Sequence, residues 1–161
     1  MKKLILVRHA KSSWDLPVQD FDRPLSNKGI RNAHLVSTNA LKYLPETFII
    51  WSSSAKRAME TAIIFTQNFN CPIESILFKK ELYTFDLQKL ETLIKECNDQ
   101  FDNLILFGHN EAITNFVNKF GNVYIDNVST SGLVAITFDT NSWATISNGE
   151  TTKVLFPKEL Q

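Results

Sequence analysis

Two arginines and two histidines stand where apolar runs give way to polar residues. Leu4-Ile5-Leu6-Val7 is followed at once by Arg8 and His9. Phe48–Trp51 leads through Ser52-Ser53-Ser54 to Arg57, and Leu104–Phe107 runs into Gly108-His109. Apolar runs this short read as buried strands, and open α/β folds place their chemistry where such strands end. A phosphoryl group in flight needs an in-line nucleophile, positive charge around its equatorial oxygens and a proton for the leaving group. His9 is the candidate nucleophile, its neutral imidazole nitrogen attacking phosphorus to give phosphohistidine. Arg8 and Arg57 can clamp the oxygens with planar, permanently charged forks. His109, if protonated, adds a further charged hydrogen bond, and the helix opening after it could aim backbone N–H groups at the anion. Such a cage stabilises the transition state without a metal or other cofactor.

Taken singly, each of the four has an ordinary structural explanation. A strand-end arginine is often a surface salt-bridge partner, and a lone histidine is often a satisfied structural residue. Arg57 could be a solvated helix residue, and His109 a helix-start residue bonded to nearby backbone. The repeated order of strand and then cation argues against four separate coincidences. His34 falls in mid-helix, away from any strand end, and reads as structural or surface.

The elements that must carry these residues alternate along the chain, which argues for layered α/β architecture. The expectation is a three-layer α/β/α fold with a mostly parallel central sheet. After the first strand, a polar loop covers residues 8–25. Ser26 can cap a helix over about 27–44, with Ile30, Ala33, Ser37, Leu41 and Leu44 near one face, and Pro45 stops it. A helix over about 55–69 follows the second strand, with a stripe from Ala55 to Phe69. A short strand at 75–78 precedes a third helix over about 87–97, capped by Asp86. Gly108-His109-Asn110 then opens a helix carrying Ile113, Phe116, Val117 and Phe120. Leu133–Phe138 and Trp143–Ser147 read as an antiparallel C-terminal hairpin at the sheet edge.

The 161 residues are expected to form one domain, residues 1–161, with no linker long enough to divide them. Seventeen basic residues balance seventeen acidic ones. That balance suggests neither a nucleic-acid nor a membrane partner, so a bound anion must be met by a few local cations. Cys71 and Cys97 read as reduced, packed thiols. Met1-Lys2-Lys3 mimics the start of a signal peptide, but the apolar run behind it is too short. No run approaches transmembrane length, and the cytoplasm is the expected compartment.

The motifs also carry a family resemblance. Leu6-Val7-Arg8-His9-Ala10-Lys11-Ser12-Ser13-Trp14-Asp15 is similar to the signature of the histidine phosphatase, or phosphoglycerate-mutase-like, superfamily. Asp22-Arg23-Pro24-Leu25-Ser26-Asn27-Lys28-Gly29 resembles its second block. Ser53-Ser54-Ala55-Lys56-Arg57-Ala58-Met59-Glu60-Thr61-Ala62 resembles the block after the second strand, and Phe107-Gly108-His109-Asn110 the one holding the second histidine. The resemblance implies a phosphohistidine intermediate on His9, with phosphate held by Arg8, Arg57 and His109. Ala10 in place of the commoner glycine, the short chain and Arg23-Pro24-Leu25 point to the SixA-type branch, the phosphohistidine phosphatases. Ser12 and Asp15 fall where relatives place polar neighbours of the phosphate. Arg23 either reaches the rim or anchors its loop in a salt bridge.

Many relatives carry an acid, in an insertion after the third strand, that protonates the departing alcohol. Here Lys79–Asp86 leaves no room for a lid. Glu81 is the nearest candidate acid, though a carboxylate there could equally serve the following helix. A missing acid and an open pocket both favour a phosphorylated protein, since a phosphorus–nitrogen bond is labile once its nitrogen is protonated. The expected activity is therefore a cofactor-independent phosphohistidine phosphatase releasing inorganic phosphate. A small-molecule phosphomonoester phosphatase and a non-catalytic phospho-ligand-binding module remain the alternatives.

Overall fold

Strands and helices alternate in the computed structural model, which describes residues 1–161. Strand β1 (Lys2–Arg8) lies inside a six-stranded sheet with β4 (Asn103–Gly108) parallel beside it. Beyond β4 come β2 (Ile49–Ser53) and β3 (Ile76–Lys79), both parallel. On the other flank β5 (Leu133–Phe138) and β6 (Glu150–Leu155) form the antiparallel edge hairpin. The order across the sheet is β3-β2-β4-β1-β5-β6.

Helices cover both faces, and this makes the three layers. Successive strand residues point to opposite sides, so Ile5, Val7 and Ile105 join Ala33 of α1 (Asn27–Ala40) and Phe65 of α2 (Lys56–Asn68) in one core cluster. Leu4, Leu6 and Leu106 face α3 (Leu87–Lys95) and α4 (Ala112–Phe120) in the other. Burial on both faces is why β1 and β4 read as continuous apolar runs rather than alternating ones. A final turn of helix, α5 (Pro157–Leu160), closes the chain against α1.

The loop after β1 is braced by the segment that starts α1. Ser13 N–H donates to the Pro24 carbonyl at 2.8 Å, and Ser26 N–H to the Lys11 carbonyl at 2.9 Å. Ser26 then caps α1, accepting from Gly29 N–H at 3.0 Å. A Cβ at Gly29 would run into the Lys11 carbonyl, so the first two motifs can pack only with glycine there.

Two local expectations are corrected. The first helix ends at Ala40, followed by a 3-10 turn at Leu41–Tyr43, and Ile30 and Leu41 are exposed. Its buried face is Gly29, Ala33, Val36, Ser37 and Ala40, mostly small residues that let α1 lie against α2, where Asn68 Nδ2 donates to Ser37 Oγ at 2.7 Å. Trp143 does not begin a strand but a 3-10 turn, Trp143–Thr145. Its buried indole donates to the Phe101 carbonyl at 2.7 Å and its backbone N–H to Asp99 Oδ1 at 2.8 Å. The hairpin partner is the more polar β6, later in the chain.

Candidate active site

The parallel register of β1 and β4 brings the two histidines together. Arg8 pairs with Gly108, so the residues that follow each strand emerge side by side. The rings of His9 and His109 lie 5.3 Å apart, centroid to centroid. Arg57, in the first turn of α2, reaches back and donates from Nε to His9 Nε2 at 3.4 Å. One turn on, Thr61 Oγ1 accepts from Ala10 N–H at 2.8 Å and donates to the Arg57 carbonyl at 2.7 Å. The loop behind His9 and the helix carrying Arg57 are thereby fixed to each other.

His9 is 8% exposed. Its Nδ1 lies 2.7 Å from the Ala10 carbonyl, which can only accept, so the proton sits on Nδ1. Nε2 keeps its lone pair. Burial pushes the imidazole down to about 4; the Ala10 bond opposes this, while Arg57, Arg8 and Arg23 add to it. At neutral pH the ring is uncharged, with an unprotonated Nε2 that accepts only the long contact from Arg57.

His109 is 1% exposed. Its Nε2 lies 2.8 Å from Ser53 Oγ. That oxygen already accepts from Ala55 N–H at 3.1 Å, and only donation to His109 gives the hydroxyl hydrogen a partner. The proton of His109 is then on Nδ1, which is buried and has no hydrogen-bond partner. Burial first, then His9 and Arg57, push this imidazole down to about 2. A charged imidazolium is disfavoured here, and a neutral Nδ1–H is the donor. Tyr83 and Phe85 wall the ring, at 5.3 and 5.5 Å between centroids.

The arginines are held by backbone carbonyls. Arg8 Nη1 donates to Val128 O at 2.9 Å, while its Nε is buried without a partner. Arg57 is 3% exposed and donates from Nη1 to Asp20 O at 2.7 Å. Its Nη2 donates to Asp20 Oδ2 at 3.0 Å. Arg8 and Arg57 lie close enough that each bears on the protonation of His9.

The remaining expected residues divide. Arg23 and Ser12 are buried together, Arg23 Nη1 donating to Ser12 Oγ at 2.6 Å. Arg23 also pairs with Asp20 Oδ1 at 3.2 Å and stacks on Trp14, 3.5 Å from guanidinium carbon to ring centroid. These contacts are those of a loop anchor, and the Arg23 charge is near enough to lower the His9 imidazole as well. Asp15 is exposed, and only its backbone N–H is engaged, to Ser13 Oγ at 3.1 Å. Glu81 is exposed on a 3-10 turn and borders a groove of about 680 Å³ beside Tyr83, without an ion pair to any cage residue. No three His, Cys, Asp or Glu side chains converge as a metal site. Asp20, Ser53, Thr61 and Tyr83 escaped the sequence reading; Ser53 and Thr61 at least lie in the block around Arg57.

The family model described as histidine phosphatase superfamily (branch 1) matches residues 4–116, a span that carries all four cage residues. The chain belongs to the histidine phosphatase superfamily. A stretch of 63 residues is 48% identical to an uncharacterized chloroplastic protein of Arabidopsis thaliana. That stretch is 37% of this chain and only 28% of the relative's length. In fold, this histidine phosphatase is similar to the protein histidine phosphatase SixA complexed with tungstate, with TM-score 0.83 and 18% identity over 99% of each chain. A SixA structure from Nakamurella multipartitia gives TM-score 0.78 at 18% identity, covering 97% of this chain and 96% of the other. A mycobacterial glucosyl-3-phosphoglycerate phosphatase gives 0.72 at 12%, covering 95% and 98%. At these identities the likeness is one of fold.

Proposed function

We propose that the chain is a cofactor-independent phosphatase that passes the phosphoryl group through His9 and takes phosphohistidine on a protein as substrate. The observation that carries the reading is the state of the two histidines: His9 presents a lone pair at Nε2, and His109 a buried, unpartnered N–H beside it. His9 Nε2 attacks phosphorus. Arg57, Arg8 and the His109 N–H hold the equatorial oxygens as charge shifts onto them. Water then attacks the phosphoenzyme and releases inorganic phosphate, restoring the neutral imidazole.

The mouth favours a macromolecular substrate. Only a 3-10 turn and a short loop connect β3 to α3, and that connection supplies Tyr83 and Phe85 as one wall of the cage but no separate flap. Trp14 and Phe85 stand beside it at 77% and 51% exposed, apolar surface suited to a protein partner. Two neighbours in fold bear the name SixA, one of them a protein histidine phosphatase with tungstate bound. The activity those names carry supports this substrate class.

The test is turnover of a phosphohistidine-bearing protein against sugar and nucleotide monophosphates. A clear rate advantage for the phosphohistidine protein is expected, with an acid-labile phosphoenzyme trapped on the wild type and none on His9→Ala. A metabolite ester turned over faster would transfer the reading to a small-molecule phosphatase. Tight phosphate binding without turnover of any substrate would leave a phospho-ligand-binding module.

A further inference from the structure

Seventeen basic residues offset seventeen acidic ones over the whole chain, but the balance is not kept everywhere. A surface hollow of about 390 Å³ lies beside α1, and three lysines from three separate segments line it. Lys11 comes from the loop after β1, Lys28 from the first turn of α1 and Lys158 from α5. All three are exposed, and none is ion-paired to a carboxylate anywhere in the chain. No aspartate, glutamate, arginine or aromatic side chain lines the hollow, whose other walls include Asn32, Ser129 and Thr130. The first turn of α1 carries no acidic residue either, so the helix end adds to the positive field instead of offsetting it.

The hollow adjoins the loop that carries His9. Lys11 follows His9 by two residues. Ser129 and Thr130 lead directly into Ser131, whose N–H donates to the carbonyls of Arg8 and His9 at 3.1 Å each. Arg8 and Arg57 already supply the cations for a phosphoryl group on His9, so the lysines meet charge of another origin. Like charges gathered without counter-ions repel one another, and a cleft of one sign concentrates ligands of the other. Lysine ammoniums are point charges on flexible stems, suited to carboxylates spread over a surface, whereas planar arginine forks suit phosphate. Single-stranded nucleic acid calls for aromatic platforms, which the hollow lacks. We propose that this hollow docks an acidic segment, rich in aspartate and glutamate, of the protein that presents its phosphohistidine to His9; this rests on the phosphatase reading above.

Docking of this kind acts on capture and leaves the chemistry alone. Complementary charge speeds the encounter and fixes which way the partner lies, so it enters kcat/KM for a substrate that spans both places. Exposed charges such as these are screened by salt. A small phosphate ester is held by the cage alone and does not depend on the lysines.

The test uses two phosphohistidine peptides, one flanked by glutamates and one by serines, with the wild type and the double variant Lys28→Glu/Lys158→Glu. The small substrate is p-nitrophenyl phosphate. At low salt the wild type should turn over the acidic peptide with kcat/KM about ten-fold above that of the neutral one. The advantage should vanish at roughly 0.5 M salt and in the double variant. Turnover of p-nitrophenyl phosphate should be unchanged, which also shows that the variant is folded. Fluorescence anisotropy of a labelled glutamate-rich peptide without phosphate reads the hollow apart from turnover, and its Kd should rise about ten-fold in the variant. An acidic peptide without an advantage, or one whose advantage survives the charge reversal, would overturn the docking site. Tighter binding of single-stranded DNA than of the glutamate-rich peptide would reassign the hollow to nucleic acid. Wild type inert towards both peptides and p-nitrophenyl phosphate would instead sink the phosphatase reading, and the anisotropy would still decide the hollow.

Discussion

Thr61 joins the two halves of the cage through Ala10: the Ala10 N–H donates to Thr61 Oγ1 at 2.8 Å, and that hydroxyl donates onward to the carbonyl of Arg57 at 2.7 Å. Threonine is 0% exposed there, so no water can replace either bond. Thr61→Val keeps the shape and strands both partners. It should cost about 1–3 kcal/mol of stability, the penalty for buried polar groups left unsatisfied. Urea unfolding measures that loss, and kcat should fall as His9 and Arg57 lose their shared support.

Ser53 should set the tautomer of His109. In the wild type, nitrogen-15 spectra should show His109 protonated at Nδ1 and bare at Nε2. Ser53→Ala removes the donor to Nε2, and the spectrum should become a mixture of tautomers. Inorganic phosphate should bind this variant more weakly as an inhibitor. Wild-type spectra with the proton on Nε2 would contradict the hydrogen-bond direction assigned to Ser53.

Arg57→Lys keeps the charge but loses the two-donor edge that spans His9 and Asp20. A lysine ammonium is a point charge without that planar fork. Steady-state kinetics should show kcat/KM down on the order of 100-fold, the usual effect of removing a transition-state donor. Recovery to near wild-type rates would mean that charge alone, without direction, suffices at this position.

The buried histidines make stability fall with acid. His9 titrates near 4 in the folded protein against 6.5 for a free imidazole. Its folded value is depressed, so the stabilisation is complete above 6.5 and is lost as pH drops towards 4, when the unfolded chain binds the extra proton. The loss from His9 is about 3 kcal/mol over that window. His109 acts with the same sign. Unfolding free energies at pH 7 and pH 4 should therefore differ less in His9→Gln than in the wild type.

Gly29→Ala should loosen the pairing of the first two motifs, because the new methyl group meets the Lys11 carbonyl. Backbone must move to admit it, at a cost of about 1–3 kcal/mol. Thermal unfolding reads the loss. Because Ser12 and Arg23 lie within the paired segments, phosphate inhibition should weaken with it.

The layers and the sheet edge were legible because both covered faces of β1 and β4 leave an unbroken apolar signal. In helix α1, Ala33 and Ser37 are buried as expected but the larger Ile30 and Leu41 are not, because a close helix–helix contact selects small residues. The second hairpin strand was misplaced because Trp143 has strand-like character but is held by Phe101 and Asp99. In the cage, the four cationic or imidazole groups announced themselves by following strands. Asp20 did not, because its place depends on how a long loop folds back onto Arg57. Arg23 could be read two ways since a guanidinium has enough donors to brace a loop and still lend its field to a neighbour.

The short crossing from β3 to α3 decides the fate of whatever His9 carries. With no separate flap over it, a labile nitrogen–phosphorus linkage on His9 stays within reach of bulk water, which is in large excess over any other acceptor. Any acceptor other than water must compete with that excess without being held in place. Chemistry at such a mouth runs to cleavage, and a mutase would need an enclosure that this short connection does not provide.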